Sequence, residues 1–167
     1  MFRDDEDYCR YLSLLKKLIK EIPVRLYAYC LMPNHYHLFL RQDADVPAYK
    51  IPERLFSCYV KRYNRRYHRH GRLMASPLQH RLVDNLPYML ELCRYIHRNA
   101  MKAGLVDSPE KWPYANYAEW LGLRHGTLFH DEILRNHFDS ADEYRAFVMK
   151  KADIPDEKLR VILIDYA

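Results

Sequence analysis

The sequence predicts an α+β domain, an antiparallel sheet with helices packed on one of its faces. Three observations predict it. Residues 5 to 21 carry an apolar stripe (Tyr8, Leu12, Leu15, Leu18, Ile19) near the 3.6-residue period of a helix. Two short runs rich in β-branched and aromatic residues, VRLYAYCLM (24–32) and HYHLFLR (35–41), follow with only Pro33-Asn34 between them. A further long helical pattern occupies roughly residues 85 to 103.

Each element has local signals. Asp4 or Asp5 can cap the first helix, and Pro23 ends it. The turn between the two strands is so short that they should pair as an antiparallel hairpin. A Pro- and Asp-containing loop (43–52) leads to LFSCYVKRYNRRYHR, read as a helix ending near Gly71. A polar connection through Pro77 and Gln79 precedes the long helix, with Pro87 in its first turn and Gly104 as its stop. The aromatic stretch WPYANYAEWLG should pack back on the domain. DEILRNHF (131–138) and ADEYRAFVMKK (141–151) read as short amphipathic helices. The expected organisation is therefore one main unit, 1–121, and a small helical C-terminal appendage, 122–167.

Composition narrows the class. A chain of 167 residues, 49% hydrophobic and 29% charged, is long enough for one core and too apolar for disorder. No apolar run approaches membrane-spanning length, and the acidic start MFRDDEDY lacks a leader pattern, so a cytoplasmic protein without a membrane partner is expected. The four cysteines form no Cys-x-x-Cys pair, which removes a zinc knuckle and the cysteine signature of a zinc deaminase. Net charge is +5, but Lys61, Arg62, Arg65, Arg66, Arg69 and Arg72 fall in one short segment. Such a cluster suits a polyanion, although a charged helix is also an ordinary solvated face. Tyr59, Tyr63 and Tyr67 share one side of that helix and read as packing against the sheet.

Period-two geometry puts His35, His37 and Phe39 on one face of the second strand, and Tyr36, Leu38 and Leu40 on the other, where they would seat helices. The two histidine backbones lie about 7 Å apart, close enough for both rings to turn towards one divalent cation. Taken alone, such a pair is more often two ordinary surface or half-buried histidines. Tyr95 alone is likewise compatible with a core tyrosine beside Leu92 and Ile96, one of 15 tyrosines in the chain.

The string YCLMPNHYHLFL resembles the single-tyrosine transposases of insertion sequences and their REP-associated tyrosine transposase relatives, which are HUH endonucleases. The similarity extends to FRDDEDYCRYLSLL, to YVKRYNRRYHRHGRLM and to CRYIHRNAMKAGLVDSPEKWPYANY, covering roughly residues 2 to 121. The resemblance implies a ferredoxin-like sheet, with His35 and His37 as ligands of Mg²⁺ or Mn²⁺. It implies Tyr95 as the nucleophile, forming a 5′-phosphotyrosine, and Asn99 as the third metal ligand. Helix geometry agrees with that pairing, since positions i and i+4 share a face. It further implies single-stranded or hairpin DNA as partner, with Lys61, Arg62, Arg65, Arg66 and Arg69 neutralising phosphates. Relatives work as homodimers or as monomers.

Two departures stand out. The family's first strand has no counterpart ahead of the first helix, so the sheet should have one strand fewer and an exposed edge beside the site. Ala100 follows Asn99 where the family usually has proline. The rival expectation is a non-catalytic, DNA-binding regulatory protein derived from such a transposase.

Overall fold

The computed structural model describes residues 1–74 and 82–150. Helix α1 (Asp5–Glu21) begins where the Asp4 carboxylate accepts the Asp7 backbone N–H at 3.1 Å. Asp5, Glu6 and Asp7 in its first turn and Lys20 in its last complement the helix dipole. Strand β1 (Val24–Leu31) pairs antiparallel with β2 (Tyr36–Gln42), and the Met32 N–H donates to the His35 carbonyl across the turn at 2.8 Å. The α+β class and the antiparallel hairpin are as the sequence predicts.

Helix α2 (Lys50–Arg66) starts five residues before the expected Leu55, in a segment read as loop. Pro52 misleads there: it sits in the first helical turn, where its missing N–H would have had no intrahelical partner. Helix α3 (Leu86–Lys102) is capped by Asn85, whose side chain accepts the Tyr88 N–H at 3.0 Å. It stops before Gly104, which takes φ +70°, a conformation other residues adopt only with strain. Three short helices follow, α4 (Tyr117–Trp120), α5 (Glu132–His137) and α6 (Ala141–Met149). Pro77 and Gln79 lie outside the described residues, as does the chain beyond Lys150. No helix among the described residues is long and apolar enough to cross a membrane.

The hairpin is buried on both sides. Tyr36 and Leu38 of β2, with Val24, Leu26, Tyr29 and Leu31 of β1, pack on α1 and α2 through Tyr11, Leu15, Leu55 and Tyr59. Expected helices thus cover that face. Helices cover the other face as well: Tyr27, Ala28, Cys30 and Phe39 pack on Leu92, Cys93, Ile96 and Ala100 of α3, and on Trp120 and Tyr144 beyond it. A register shift between Leu26 and Ala28 makes this possible. One extra residue in β1 inverts the alternation, so even-numbered Val24 and Leu26 share a face with odd-numbered Tyr29 and Leu31.

The sheet has two strands among the described residues. The outer edge of β1 is partly closed by the segment ahead of α4. Cys30 and Ala115 form an isolated antiparallel bridge, and the Leu31 N–H donates to the Tyr114 carbonyl at 2.9 Å. The Asn116 side chain continues this pairing like a peptide unit. Its Oδ1 accepts the Tyr29 N–H and its Nδ2 donates to the Tyr27 carbonyl, both at 2.8 Å. At the C-terminal end, Ile133, Tyr144 and Val148 join the same core as α3, and Arg94 and Arg98 donate to the Lys150 carbonyl at 2.8 and 2.9 Å.

Candidate active site

His35 and His37 stand at the start of β2, on the face covered by α3. The face expected to be open is therefore closed over His37, which is 2% exposed, while His35 beside the turn stays half-buried. The two rings are perpendicular with centroids 4.7 Å apart, and their Nε2 atoms meet at 3.0 Å. His35 Nδ1 lies 2.7 Å from the Asn34 side-chain oxygen, to which it donates. That bond leaves the His35 Nε2 lone pair facing His37. Burial, reinforced by the neighbouring His35, holds His37 well below the usual histidine pKa. His37 is thus set up to be neutral at neutral pH, as ligation requires.

Tyr95 comes to this pair from α3. Its ring packs edge-on to His37 at 5.8 Å and 88°, and it is 7% exposed. Residues 58 positions apart in sequence thus meet because α3 lies flat on β1 and β2. The Lys102 ammonium stands 5.5 Å from the centroid of the Tyr95 ring. Asn99 lies one turn beyond Tyr95 and is half-buried. Among the described residues its side chain makes no hydrogen bond to either imidazole. No group of three or more His, Cys, Asp or Glu side chains gathers in a metal-holding arrangement among them either.

The basic residues belong to the opposite layer. Lys61, Arg62, Arg65 and Arg69 are exposed at the C-terminal end of α2 or just after it. Arg66 is instead drawn into the fold: its guanidinium pairs with Asp4, Glu6 and Asp7 at 2.7 to 2.8 Å and ties α2 to the start of α1. That end of the molecule also carries the hairpin turn, since the Phe2 N–H donates to the Pro33 carbonyl at 2.9 Å. The exposed cations and the histidine pair therefore lie towards the same end of the sheet, although α2 and α3 lie on opposite faces.

A buried polar network behind Tyr95 was not visible in the sequence. His97 is 1% exposed; its Nε2–H donates to Asn116 Oδ1 at 3.1 Å and its Nδ1 accepts from the Tyr144 hydroxyl at 2.7 Å. Trp120 Nε1–H donates to the Tyr27 carbonyl at 2.9 Å beside Asn116. Burial pushes His97 down to about 3. The network pins α3, α6 and the edge of β1 together. The one available signal was His97 itself, two residues after Tyr95 and so on the opposite side of α3.

Paired histidines, a tyrosine on the facing helix and exposed cations on the other layer are side chains of the kind that phosphate transfer on nucleic acid uses. Comparison with known families agrees. Residues 1–80, just under half of the chain, match the family model of IS200-like transposases, and that match supports membership of the family. The match includes α1, the histidine hairpin and α2; Tyr95, Asn99 and Lys102 lie beyond it. It supports a transposase role, with DNA as the material acted on. No curated protein and no solved structure matches the chain.

Proposed function

We propose that the protein is a divalent-metal-dependent transposase that cuts and rejoins single-stranded DNA through Tyr95. The observation that carries this reading is the edge-on packing of Tyr95 against His37, within a histidine pair whose Nε2 atoms converge to 3.0 Å. Two nitrogen ligands about 2.1 Å from one ion and at right angles to each other would lie about 3.0 Å apart. The pair would therefore fit as two ligands of one ion. The fit has a cost. With both Nε2 lone pairs on a cation, the His37 proton moves to Nδ1, which is buried without a partner. That penalty is about 1–3 kcal/mol, which cation binding must exceed.

His35 and His37 would hold the ion, and Asn99 would offer an amide oxygen from the same α3 face as Tyr95. This mixed nitrogen and oxygen set suits Mn²⁺ at least as well as Mg²⁺. When bound, the ion supplies Lewis-acid stabilisation of charge on the phosphate's non-bridging oxygens. Tyr95 Oη attacks the phosphorus and the bond to the 3′ oxygen breaks. The leaving strand ends in a 3′-hydroxyl, which takes up a proton as the tyrosine gives one up. The 5′ phosphate stays on Tyr95 until another 3′-hydroxyl reverses the step, so rejoining needs no external energy. The buried setting of Tyr95 keeps water from competing for that ester. Lys61, Arg62, Arg65 and Arg69 would hold the flanking backbone as the strand crosses the turn end of the sheet.

The test is covalent capture. Labelled hairpin oligonucleotides from the DNA flanking the gene, incubated with the protein and Mn²⁺, should give a detergent-resistant shifted band. The band should vanish with EDTA and with Tyr95→Phe. A second reading, a regulatory DNA-binding protein without cleavage, draws on the Asn99 side chain, which makes no hydrogen bond to either imidazole. It predicts salt-sensitive hairpin binding and no adduct under any metal.

A further inference from the structure

We infer that Arg3 and Arg69 form one phosphate-binding subsite for the DNA strand, beside the turn that carries the histidine pair. The inference deepens the proposed function and rests on DNA as the material bound. Arg3 lies ahead of α1, outside the basic segment, and no charge run in the sequence points to it. The fold brings it to the end of α2. Its guanidinium carbon sits over the Tyr67 ring, 4.5 Å from the centroid, and 5.8 Å from that of Tyr63. Arg69 reaches Tyr63 from beyond the C-terminal end of α2, also at 5.8 Å. A sharp reversal takes it there. His68 adopts φ +50°, which few residues other than glycine do, and the Arg69 N–H turns back to the Asn64 carbonyl at 2.8 Å.

What the two guanidiniums lack is a carboxylate. Both are exposed, and among the described residues neither makes an ion pair. Acidic groups stand close by, but they are already engaged. Asp4, Glu6 and Asp7 all pair with Arg66, and Asp4 and Asp7 also accept the Tyr67 hydroxyl at 3.3 and 2.9 Å. Those bonds fix the Tyr67 ring, and the ring in turn orients Arg3. A cation held over an aromatic face uses none of its N–H donors, so the fork of the guanidinium is left for an anion. Two like charges gathered at one tyrosine, with the neighbouring acids paired elsewhere, are arranged to receive a phosphate, which accepts such a fork bidentately. Both side chains are long enough to close on one phosphate. Arg3 follows Phe2, whose N–H donates to the Pro33 carbonyl at 2.9 Å, so a strand gripped here is led towards His35 and His37.

An arginine over a tyrosine ring also has an ordinary role, fastening the segment ahead of α1 to α2. That role would show in stability and not in the response to salt or to a single phosphate. Binding of hairpin oligonucleotides from the DNA flanking the gene is measured with the full chain in EDTA, so that no cleavage intervenes. Arg3→Gln and Arg69→Gln should each weaken binding by about tenfold and lower the salt slope by about one phosphate contact. Arg3→Lys, which keeps a charge at the ring but not the fork, should keep the slope and recover only part of the affinity. Oligonucleotides carrying one uncharged methylphosphonate at successive positions then locate the phosphate. Among the positions that weaken wild-type binding, one and the same position should cease to matter in Arg3→Gln and in Arg69→Gln. Unchanged affinity and salt slope in Arg3→Gln overturn the inference, as do two variants that become indifferent to different positions. A lowered thermal midpoint in Arg3→Gln and Arg3→Lys with binding of the folded proteins unchanged is the fastening role alone, and overturns it too. Wild-type hairpin binding that is absent or insensitive to salt overturns the DNA reading itself, and this inference with it.

Discussion

Asn116 offers the sharpest test of how the site is held. Its amide is fully buried and serves three partners: it accepts from the Tyr29 N–H and from His97 Nε2–H, and donates to the Tyr27 carbonyl. Replacing it with alanine strands two buried donors, because the Tyr27 carbonyl keeps its bond from Trp120. Each stranded group costs about 1–3 kcal/mol, so Asn116→Ala should lose about 2–6 kcal/mol, a large share of the stability of an ordinary domain. Asn116→Asp is more telling. It preserves shape and packing, yet it turns the donor that faces the Tyr27 carbonyl into an acceptor and places a carboxylate in the core. A packing role predicts near neutrality for Asp; the hydrogen-bonding role predicts a loss comparable to that of Ala. Urea denaturation reads both, as a lowered midpoint at unchanged slope, with the exposed Lys17→Ala as a control expected to change little. An Asn116→Asp protein within about 1 kcal/mol of wild type at neutral pH would refute the idea that this side chain substitutes for a strand on the β1 edge.

Other outcomes follow from the same geometry. His97 titrates near 3 in the folded protein and near 6.5 when unfolded. Between those values the unfolded chain takes up a proton that the native state refuses. Its contribution to stability is therefore complete above about pH 6.5 and is lost as pH falls towards 3, by up to about 1.4 kcal/mol per pH unit. Denaturation at pH 7.5 and pH 5 should show this loss, and a His97→Gln protein with the same pH dependence would contradict it. Arg65→Ala should weaken hairpin binding and flatten its dependence on salt by about one phosphate contact. Arg66→Ala, which breaks the ties to Asp4, Glu6 and Asp7, should instead lower the thermal midpoint with little change in that salt slope. Equal salt slopes for the two variants would show that the assignment by exposure is mistaken.

Much of this arrangement was legible in the sequence where the cause is local. The stripe of α1, capped by Asp4 and stopped by Pro23, gave its bounds directly, and the alternation of β2 put His35, His37 and Phe39 on one face. The misjudged start of α2 was also local, since Pro52 reads as a loop until its place in a first turn is known. What was not legible depends on distant partners. No glycine or proline marks the extra residue at Tyr27 that reverses the alternation of β1. Nothing near His37 announces that α3 will bury it. The Asn116 amide reaches backbone groups 87 and 89 positions away, and Arg66 is told apart from Arg65 only by the acidic turn of α1 that lies against it.

The burial of His37 also explains how a sheet with two strands among the described residues can hold the candidate site. An isolated hairpin is marginal in water and would leave its histidines swinging in solvent. Here the residues of β1 under α3 are small, Ala28 and Cys30, and α3 meets them with its own small residues, Cys93 and Ala100. Small side chains on both surfaces let helix and strands approach closely. Cys30 pairs in register with His37, so the gap that these residues close is the one Tyr95 must cross to reach the imidazole. The extra residue at Tyr27 serves the same end. Without the inversion it causes, Ala28 and Cys30 would face α1 and α2, and bulky Tyr29 and Leu31 would hold α3 away from the histidines. The reach of Tyr95 to His37 is therefore set by side-chain size and strand parity in β1, a strand that contributes no side chain to the proposed chemistry.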